Sequence, residues 1–218
     1  MEALIIGGSS GLGLELAHIL AKDYHVTITG RQNPGTAAAT FYRLDLAKPT
    51  LGTRLDQLLR AVPRVDLLVY AAGFYQEGRI SELSDVALTT MQRVGLLAPA
   101  LLLQRLLQRQ VDLPGFIAIT STSQWTPRRL EPIYTAAKAG LGMLANSVAL
   151  DERVGRVLVA GPSGMQTPFW AQSRRDVTGM LDPRWVAEQI LTLYSAPFDY
   201  QCARILRDPA RIEVLETR

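Results

Sequence analysis

The chain alternates between short apolar runs and amphipathic segments from one end to the other, and this pattern constrains its fold more than any other feature. The apolar runs are rich in β-branched residues and have the length of strands, as in Leu4–Ile6 and Val26–Thr29. The segments between them carry apolar residues at every third or fourth position, as in Gly11–Lys22, which is the period of a helix. This alternation predicts an α/β fold, with a parallel sheet covered by helices on both faces.

The same patterns predict where the elements lie. The predicted strands are Leu4–Ile6, Val26–Thr29, Phe41–Leu44, Asp66–Tyr70, Gly115–Thr120, Arg156–Ala160 and Cys202–Leu206. The predicted helices are Gly11–Lys22, Leu51–Arg60, Ser84–Gln110, Ile133–Asp151 and Pro183–Tyr194. Asp182 is the expected N-cap of the last helix, and the Gly35–Thr40 stretch is too short for a full crossover helix. No break in composition divides the chain, so we predict a single domain over residues 1–218.

Composition excludes several classes of protein. Apolar residues make up 48% of the chain and charged residues 20%, which is ordinary for a globular domain. Cys202 is the single cysteine, which excludes an intrachain disulfide framework, and with His18 and His25 as the only histidines no metal site is expected. No apolar run reaches the roughly 18 residues of a membrane-spanning helix, and the N-terminus lacks the basic region of a signal peptide. We therefore expect a cytoplasmic protein that has no membrane partner.

Basic residues are dispersed along the chain rather than gathered in a stripe. The 23 Lys and Arg exceed the 20 Asp and Glu by a net charge of +3. The arginines occur singly or in two pairs, Arg128-Arg129 and Arg174-Arg175, which we interpret as solvated surface or as contacts to a substrate. Because nucleic-acid-binding proteins usually concentrate their basic charge, no nucleic-acid partner is expected.

A glycine-rich turn follows the first predicted strand and opens the first predicted helix. Its sequence is Gly7-Gly8-Ser9-Ser10-Gly11-Leu12-Gly13, in which the glycines allow a tight turn and a close approach of the backbone to a pyrophosphate. Such a turn also occurs for purely structural reasons, but its place after the first strand of an alternating chain favours dinucleotide binding. The expected cofactor contacts are Gly7, Ser9, Ser10, Gly11, Leu12 and Gly13.

Arg31 indicates which dinucleotide binds. It lies 20 residues after Gly11, where a carboxylate usually binds the 2′-hydroxyl of the adenosine ribose. No carboxylate stands at this position, and a guanidinium group can chelate a 2′-phosphate. The sequence therefore predicts NADP(H), with a surface arginine in a turn as the alternative.

Tyr134 and Lys138 form a candidate acid–base pair. They are four residues apart on a predicted helix, so their side chains share one face. An ammonium group near a phenol favours the phenolate and lowers the pKa of the tyrosine, which suits it to proton transfer. Ser121 lies 13 residues upstream, just past the carboxyl end of a predicted strand, where ligands bind in open α/β sheets.

In these motifs the chain resembles the short-chain dehydrogenases/reductases over nearly its whole length. Residues 6–13 are similar to the T-G-x-x-x-G-x-G motif of that family, with Ile6 in place of the threonine. Ser121, Tyr134 and Lys138 match the catalytic serine, tyrosine and lysine. The resemblance implies a Rossmann-type doubly wound parallel sheet of about seven strands, in the order 3-2-1-4-5-6-7, with helices on both faces. It also implies that Tyr134 and Lys138 contact the cofactor.

Three further segments carry the resemblance. Asp45-Leu46 matches an acidic-aliphatic pair that contacts adenine, and residues 70–73 match an N-N-A-G motif whose two asparagines are replaced. Residues 161–168 match the segment that holds the nicotinamide amide. The cofactor contacts that these matches imply are Asp45, Leu46, Ala71, Ala72, Gly73, Pro162, Met165 and Thr167.

One catalytic position departs from the family pattern. Gly95 stands where the family has an asparagine that takes part in a proton relay. Pro99 has no N–H to donate to the Gly95 carbonyl, so the resemblance implies that this carbonyl could still hold the relay water. The alternative is that Pro99 only kinks the helix. Two functions stay open: a working reductase with a modified relay, or an NADP(H)-binding sensor or scaffold that has lost turnover.

The retained catalytic residues favour an NADP(H)-dependent oxidoreductase that interconverts a small-molecule carbonyl and an alcohol. Trp125, Phe169 and Trp170 flank the predicted cleft, where they suit an apolar substrate or simply pack within loops. The Ser84–Gln110 segment carries more leucines than one stripe against a sheet requires. Together with Ile133–Asp151 it predicts a homodimer or a homotetramer, which the resemblance also implies.

Overall fold

Strands from the whole length of the chain pair into one sheet of eight within the part that the computed structural model describes, residues 1–62, 64–171, 173 and 175–218. The strands are β1 (Glu2–Ile6), β2 (His25–Gly30), β3 (Thr40–Arg43), β4 (Leu67–Tyr70), β5 (Leu113–Ile119), β6 (Val154–Pro162), β7 (Tyr200–Arg207) and β8 (Ala210–Thr217). They lie in the order β3-β2-β1-β4-β5-β6-β7-β8. The neighbouring pairs from β3 to β7 are parallel, and β7 pairs with β8 in the antiparallel direction.

Helices cover both faces of the sheet. They are α1 (Gly11–Leu20), α2 (Leu51–Ala61), α3 (Asp85–Gln92), α4 (Ala98–Arg109), α5 (Pro132–Val148) and α6 (Pro183–Ser195). Neighbouring residues of a strand point to opposite faces, so Leu4 and Ile6 pack towards α2, α4 and α5, whereas Ala3 and Ile5 pack towards α1 and α6. The doubly wound α/β fold that the sequence predicts is therefore confirmed.

Two local predictions are also confirmed. The Asp182 Oδ1 atom accepts a hydrogen bond from the Trp185 N–H at 2.8 Å, so Asp182 caps α6. No helix forms in residues 31–39, all of which the structure describes, so the crossover between β2 and β3 is abbreviated.

The eighth strand is the main departure from the predicted architecture. We expected about seven strands, with the last one ending at Leu206, but the chain turns after β7 and returns as β8 along its edge. Most of β8 is exposed, and its backbone hydrogen bonds to β7 hold it in place. A strand of this kind lacks the buried apolar run by which the other strands are recognised.

The predicted Ser84–Gln110 helix is interrupted by a wide turn. Residues Arg93–Leu97 between α3 and α4 are π-helical, and the Ala98 N–H bonds to the Arg93 carbonyl, five residues back. In this register the carbonyl that Pro99 leaves without a backbone donor is that of Val94, not of Gly95, and the Tyr70 hydroxyl donates a hydrogen bond to it. This hydrogen bond joins the π-helical turn to Tyr70, the last residue of β4.

The Asp85–Arg109 segment is long and apolar enough, by length and composition, to cross a membrane. This result qualifies our prediction from the sequence that no apolar run is as long as a membrane-spanning helix. Part of its apolar surface is buried against the sheet and α5, including Met91, Val94 and Leu102.

Candidate active site

The carboxyl ends of the central parallel strands meet at one edge of the sheet and bring the predicted site residues together. The glycine turn follows β1, Ala71–Gly73 follow β4, Ser121 follows β5, and Pro162 ends β6. Residues from distant parts of the sequence therefore line one continuous edge.

The glycine turn requires glycine for steric reasons. Gly7 and Gly11 have φ values of +84° and +53°, a region that side chains disfavour. A Cβ atom on Gly7 would lie 2.6 Å from the Ala72 Cα atom, and one on Gly13 would lie 2.3 Å from the Gly7 carbonyl oxygen. The turn is thus packed directly against the end of β4 and the start of α1.

Two contacts join the turn to the other elements that a dinucleotide would touch. A Cβ atom on Gly30 would lie 2.1 Å from Ser9 Oγ, so the end of β2 meets the turn at Ser9. A Cβ atom on Gly11 would lie 3.2 Å from Thr167 Cβ, so the segment after β6 meets it as well. The turn therefore lies between the end of β2 and the segment after β6.

These residues fit a dinucleotide pyrophosphate. The Ser10 side chain makes no capping hydrogen bond at the N-terminus of α1, and the first turn of this helix contains no acidic residue. Backbone N–H groups at such a helix end are ready to receive a negatively charged group. Leu12 is buried beneath them.

Arg31 and Asp45, which the sequence predicts to contact the adenosine, follow β2 and β3. Arg31 directly follows β2 and is exposed, and it forms no ion pair with any described residue. The Leu44 N–H bonds to the Gly30 carbonyl at 2.9 Å, which places Asp45 and the buried Leu46 beside the end of β2. The Asp45 Oδ1 atom accepts a hydrogen bond from the Ala47 N–H at 3.0 Å.

Tyr134 and Lys138 are both buried on one face of α5. Lys138 Nζ donates a hydrogen bond to the Ile119 carbonyl at 2.9 Å. A Cβ atom on Gly73 would lie 3.5 Å from the same Nζ atom. The ammonium group therefore lies between the ends of β4 and β5, and the loop that begins with Ser121 follows directly.

Burial shifts the pKa values of both residues. It lowers the pKa of Lys138 to about 8, because the interior disfavours the charged form. Burial raises the pKa of Tyr134 well above its usual value of 10, the Ser121 hydroxyl acts in the opposite direction, and the Glu131 carboxylate adds to the rise. The tyrosine is therefore held as the neutral phenol, the form that can give a proton. The prediction that Lys138 lowers the pKa of Tyr134 is wrong for this structure, because burial outweighs the effect of the neighbouring charge.

Gly95 is required by close packing. It is buried in the π-helical turn, and a Cβ atom on it would lie 2.7 Å from the Ala137 Cβ atom of α5. An asparagine cannot occupy this position unless α5 moves, and α5 carries Tyr134 and Lys138. The departure from the family pattern is thus coupled to the position of α5, which carries two of the predicted catalytic residues.

The segment after β6 covers the tyrosine. The Phe169 and Tyr134 ring centroids are 5.9 Å apart, and the Trp170 indole N–H donates a hydrogen bond to the Met165 carbonyl at 2.9 Å. The Trp125 ring packs against the end of β6, where it would lie 2.5 Å from a Cβ atom on Gly161. Of the three aromatic residues expected beside the cleft, Phe169 packs against Tyr134, Trp170 packs against Phe169, and Trp125 packs against the end of β6.

Sequence reasoning missed a cluster at the mouth of the site. Tyr75 follows β4, Glu131 lies three residues before Tyr134, and Arg175 belongs to an arginine pair whose other member, Arg174, is outside the described residues. The Arg175 guanidinium group lies 2.5 Å from the Glu131 carboxylate. The signal in the sequence that points to this cluster is the place of Glu131, three residues before Tyr134.

Similarity to known proteins extends over most of the chain. The family model for the short chain dehydrogenases matches residues 2–178. The uncharacterized oxidoreductase YohF of Escherichia coli (strain K12) is 28% identical over 203 residues, which cover 83% of this chain and 79% of that protein.

Two solved structures have the same fold. The acetoin dehydrogenase YohF of Salmonella typhimurium superposes with a TM-score of 0.79 at 22% identity, over 94% of this chain and 95% of that chain. An alcohol dehydrogenase of the archaeon Thermococcus sibiricus, complexed with 5-hydroxy-NADP, gives a TM-score of 0.77 at 22% identity and the same coverage.

Proposed function

Because the chain belongs to the short-chain dehydrogenase/reductase family, we propose that it interconverts a carbonyl compound and an alcohol with NADP(H) as the hydride carrier. The observation that carries this proposal is the meeting of Ser121, Tyr134 and Lys138 at the strand ends beside the glycine turn. Binding of a dinucleotide alone would not require all three side chains.

In reduction, each residue would act on a different part of the reaction. NADPH, when bound, supplies a hydride to the carbonyl carbon. The Tyr134 hydroxyl donates a proton to the carbonyl oxygen, and the Ser121 hydroxyl donates a hydrogen bond to the same oxygen. Lys138, which is mostly protonated at neutral pH because its pKa is about 8, stabilises the phenolate that remains. The carbonyl gains one hydride and one proton, and the product is an alcohol.

A Tyr134→Phe variant tests this assignment. We expect it to bind NADPH like the parent and to lose turnover of carbonyl substrates, followed by NADPH absorbance. Tyr42→Phe, which changes a tyrosine of β3, is the matched control and should retain activity. A Tyr134→Phe variant with parental turnover would contradict the proposed role.

The preference for NADP(H) is supported by Arg31 at the end of β2, where no acidic residue stands. A charge-assisted hydrogen bond contributes about 1.5–3 kcal/mol, so the parent should bind NADPH roughly 10- to 150-fold more tightly than NADH. Arg31→Ala should lose most of this preference, whereas Arg129→Ala, an exposed arginine in another loop, should keep it. Equal affinity of the parent for the two cofactors would refute the assignment.

A sensor or scaffold function is favoured by one specific observation: the Phe169 ring packs against Tyr134 and so covers the residue that would give the proton. A protein of this kind would bind NADPH tightly but turn over no carbonyl compound. A thermal-shift measurement with NADPH, followed by a broad carbonyl panel, separates the two functions.

Exposed apolar side chains on the long helical segments support assembly with a second copy. Leu97 beside α4 and Met143 of α5 are 47% and 65% exposed, and Leu96 packs near Gly140 of α5, so the two helical surfaces are neighbours. We expect a dimer or a tetramer built on this face. Leu97→Glu should shift the parent assembly to monomers in light scattering at micromolar concentration, and Val111→Glu, an exposed apolar control past α4, should not. A monomeric parent would refute the proposal.

A further inference from the structure

The Arg175 side chain lies in a site that has the chemistry of a cation receptor. Its guanidinium carbon is 5.0 Å from the centroid of the Tyr75 ring and 5.4 Å from that of the Trp170 ring. The Tyr75 and Trp170 centroids are themselves 4.8 Å apart. With the Glu131 carboxylate 2.5 Å from the guanidinium group, these three residues (Tyr75, Trp170 and Glu131) form what we call the cation cage. Aromatic faces together with a carboxylate are the groups that bind organic cations.

The acidic partner of this ion pair is fixed, and the basic partner can leave. The Glu131 residue is 5% exposed and begins α5, where its carbonyl accepts the Thr135 N–H at 2.9 Å. The side chain of Arg175 is 39% exposed and comes from a segment without regular secondary structure. If Arg175 left, a nearly buried carboxylate would lack its cation, which is strongly unfavourable unless another cation takes its place.

The cation cage lies beside the proton donor of the proposed reaction. Glu131 is the N-cap residue of α5 and lies three residues before Tyr134. The Phe169 ring, which packs against both Tyr75 and Tyr134, joins the cage to the tyrosine. Lys138 lies one turn further along α5, on the far side of Tyr134 from Glu131.

We propose that the cation cage binds a positively charged group of the substrate, an ammonium or a guanidinium, and that Arg175 occupies the cage until the substrate displaces it. The substrate would then be a carbonyl compound or alcohol whose cationic group lies near the reacting oxygen, since the Phe169 ring packs against both Tyr75 and Tyr134. This inference rests on the proposed oxidoreductase function for the identity of the reacting group, but not for the binding of the cation. A substrate with an anionic group is disfavoured, since it would lie against the fixed Glu131 carboxylate.

Binding of ethylguanidinium, measured by calorimetry without cofactor, tests the cage independently of turnover. Removal of the internal cation by Arg175→Ala should increase the affinity for ethylguanidinium at least tenfold over the parent. Adding Glu131→Gln or Tyr75→Leu to that variant should abolish the gain, and the thermal unfolding temperature of each variant reports whether it folds. Arg184→Ala, which removes an arginine from an exposed ion pair on α6, is the matched control and should bind like the parent.

A pair of ketones then tests the substrate class. An aminoalkyl methyl ketone should show a KM at least tenfold below that of the alkyl methyl ketone of equal length, and Glu131→Gln should remove the difference. No gain in Arg175→Ala, or a gain that survives both second substitutions, would overturn the cation cage. Binding of ethylguanidinium as expected without turnover of either ketone would count against the proposed oxidoreductase activity and leave the cage supported.

Discussion

Replacement of Tyr70 by phenylalanine removes a single hydroxyl group from the interior and leaves the ring in place. Tyr70 is fully buried, and its hydroxyl donates a hydrogen bond to the Val94 carbonyl in the π-helical turn. That carbonyl has no backbone donor in the π-helical register because residue 99 is proline. Loss of the phenol would therefore leave a buried carbonyl without a partner.

The expected cost follows from this geometry. A buried acceptor left without a hydrogen bond costs about 1–3 kcal/mol, whereas the apolar surface buried by the ring is unchanged. In a chain of this length, each kcal/mol lowers Tm by about 2–4 °C. Urea denaturation of Tyr70→Phe should report this loss in the free energy of unfolding, and Tyr42→Phe on the far strand β3 is the control.

A double-mutant cycle identifies the cause. Pro99→Ala restores an N–H group that can donate to the Val94 carbonyl, so Tyr70→Phe should cost less in that background, with a coupling of about 1 kcal/mol. If Tyr70→Phe costs the same in both backgrounds to within about 0.5 kcal/mol, the hydroxyl does not replace the missing proline donor and the reasoning is wrong.

Two further predictions concern α5 and its contacts. Gly95→Ala should lower the urea midpoint, because the new Cβ atom would lie 2.7 Å from that of Ala137 and overpacking costs about 1–3 kcal/mol, more than the roughly 1 kcal/mol gained in helix propensity. Gly140→Ala, whose Cβ atom would meet a flexible Leu96 tip at 3.3 Å, is the control and should be neutral or stabilising; a stabilised Gly95→Ala would contradict the packing argument. Burial lowers the pKa of Lys138 from 10.5 to about 8, so the unfolded chain binds more protons than the folded one between these values and stability should rise with pH there. Relative to Lys138→Met, the free energy of unfolding of the parent should increase by up to about 3 kcal/mol across this pH window. For the exposed Lys22→Met, the difference from the parent should not change with pH, and the same behaviour in Lys138→Met would refute the prediction.

Much of the fold can be predicted from local patterns in the sequence. The strands and helices follow from apolar periods of two and of three to four residues, and the tight turn at Gly7 and Gly11 follows from a steric need that glycine alone meets. The N-cap at Asp182 is equally local. These features depend on neighbours within a few residues, so the sequence is sufficient to predict them.

Strand β8 and the π-helical turn could be identified only from the tertiary structure. The segment that forms β8 carries charges on both faces and becomes a strand because the edge of β7 offers it backbone partners. Pro99 signals a disturbed helix, but the α-helical register predicts a free carbonyl at Gly95. The actual register leaves the Val94 carbonyl to the hydroxyl of Tyr70, which lies 24 residues away.

For the site, the sequence by itself determined which residue types could transfer a proton and bind a dinucleotide. The spacing of Ser121, Tyr134 and Lys138 and the place of the glycine turn are sequence features, and the structure brings them to one edge of the sheet. The pairing of Glu131 with Arg175, 44 residues away, was decided by the tertiary structure alone. Charge alone does not identify which of many arginines pairs with Glu131, whereas the fold brings the Arg175 guanidinium group to that buried carboxylate beside two aromatic rings.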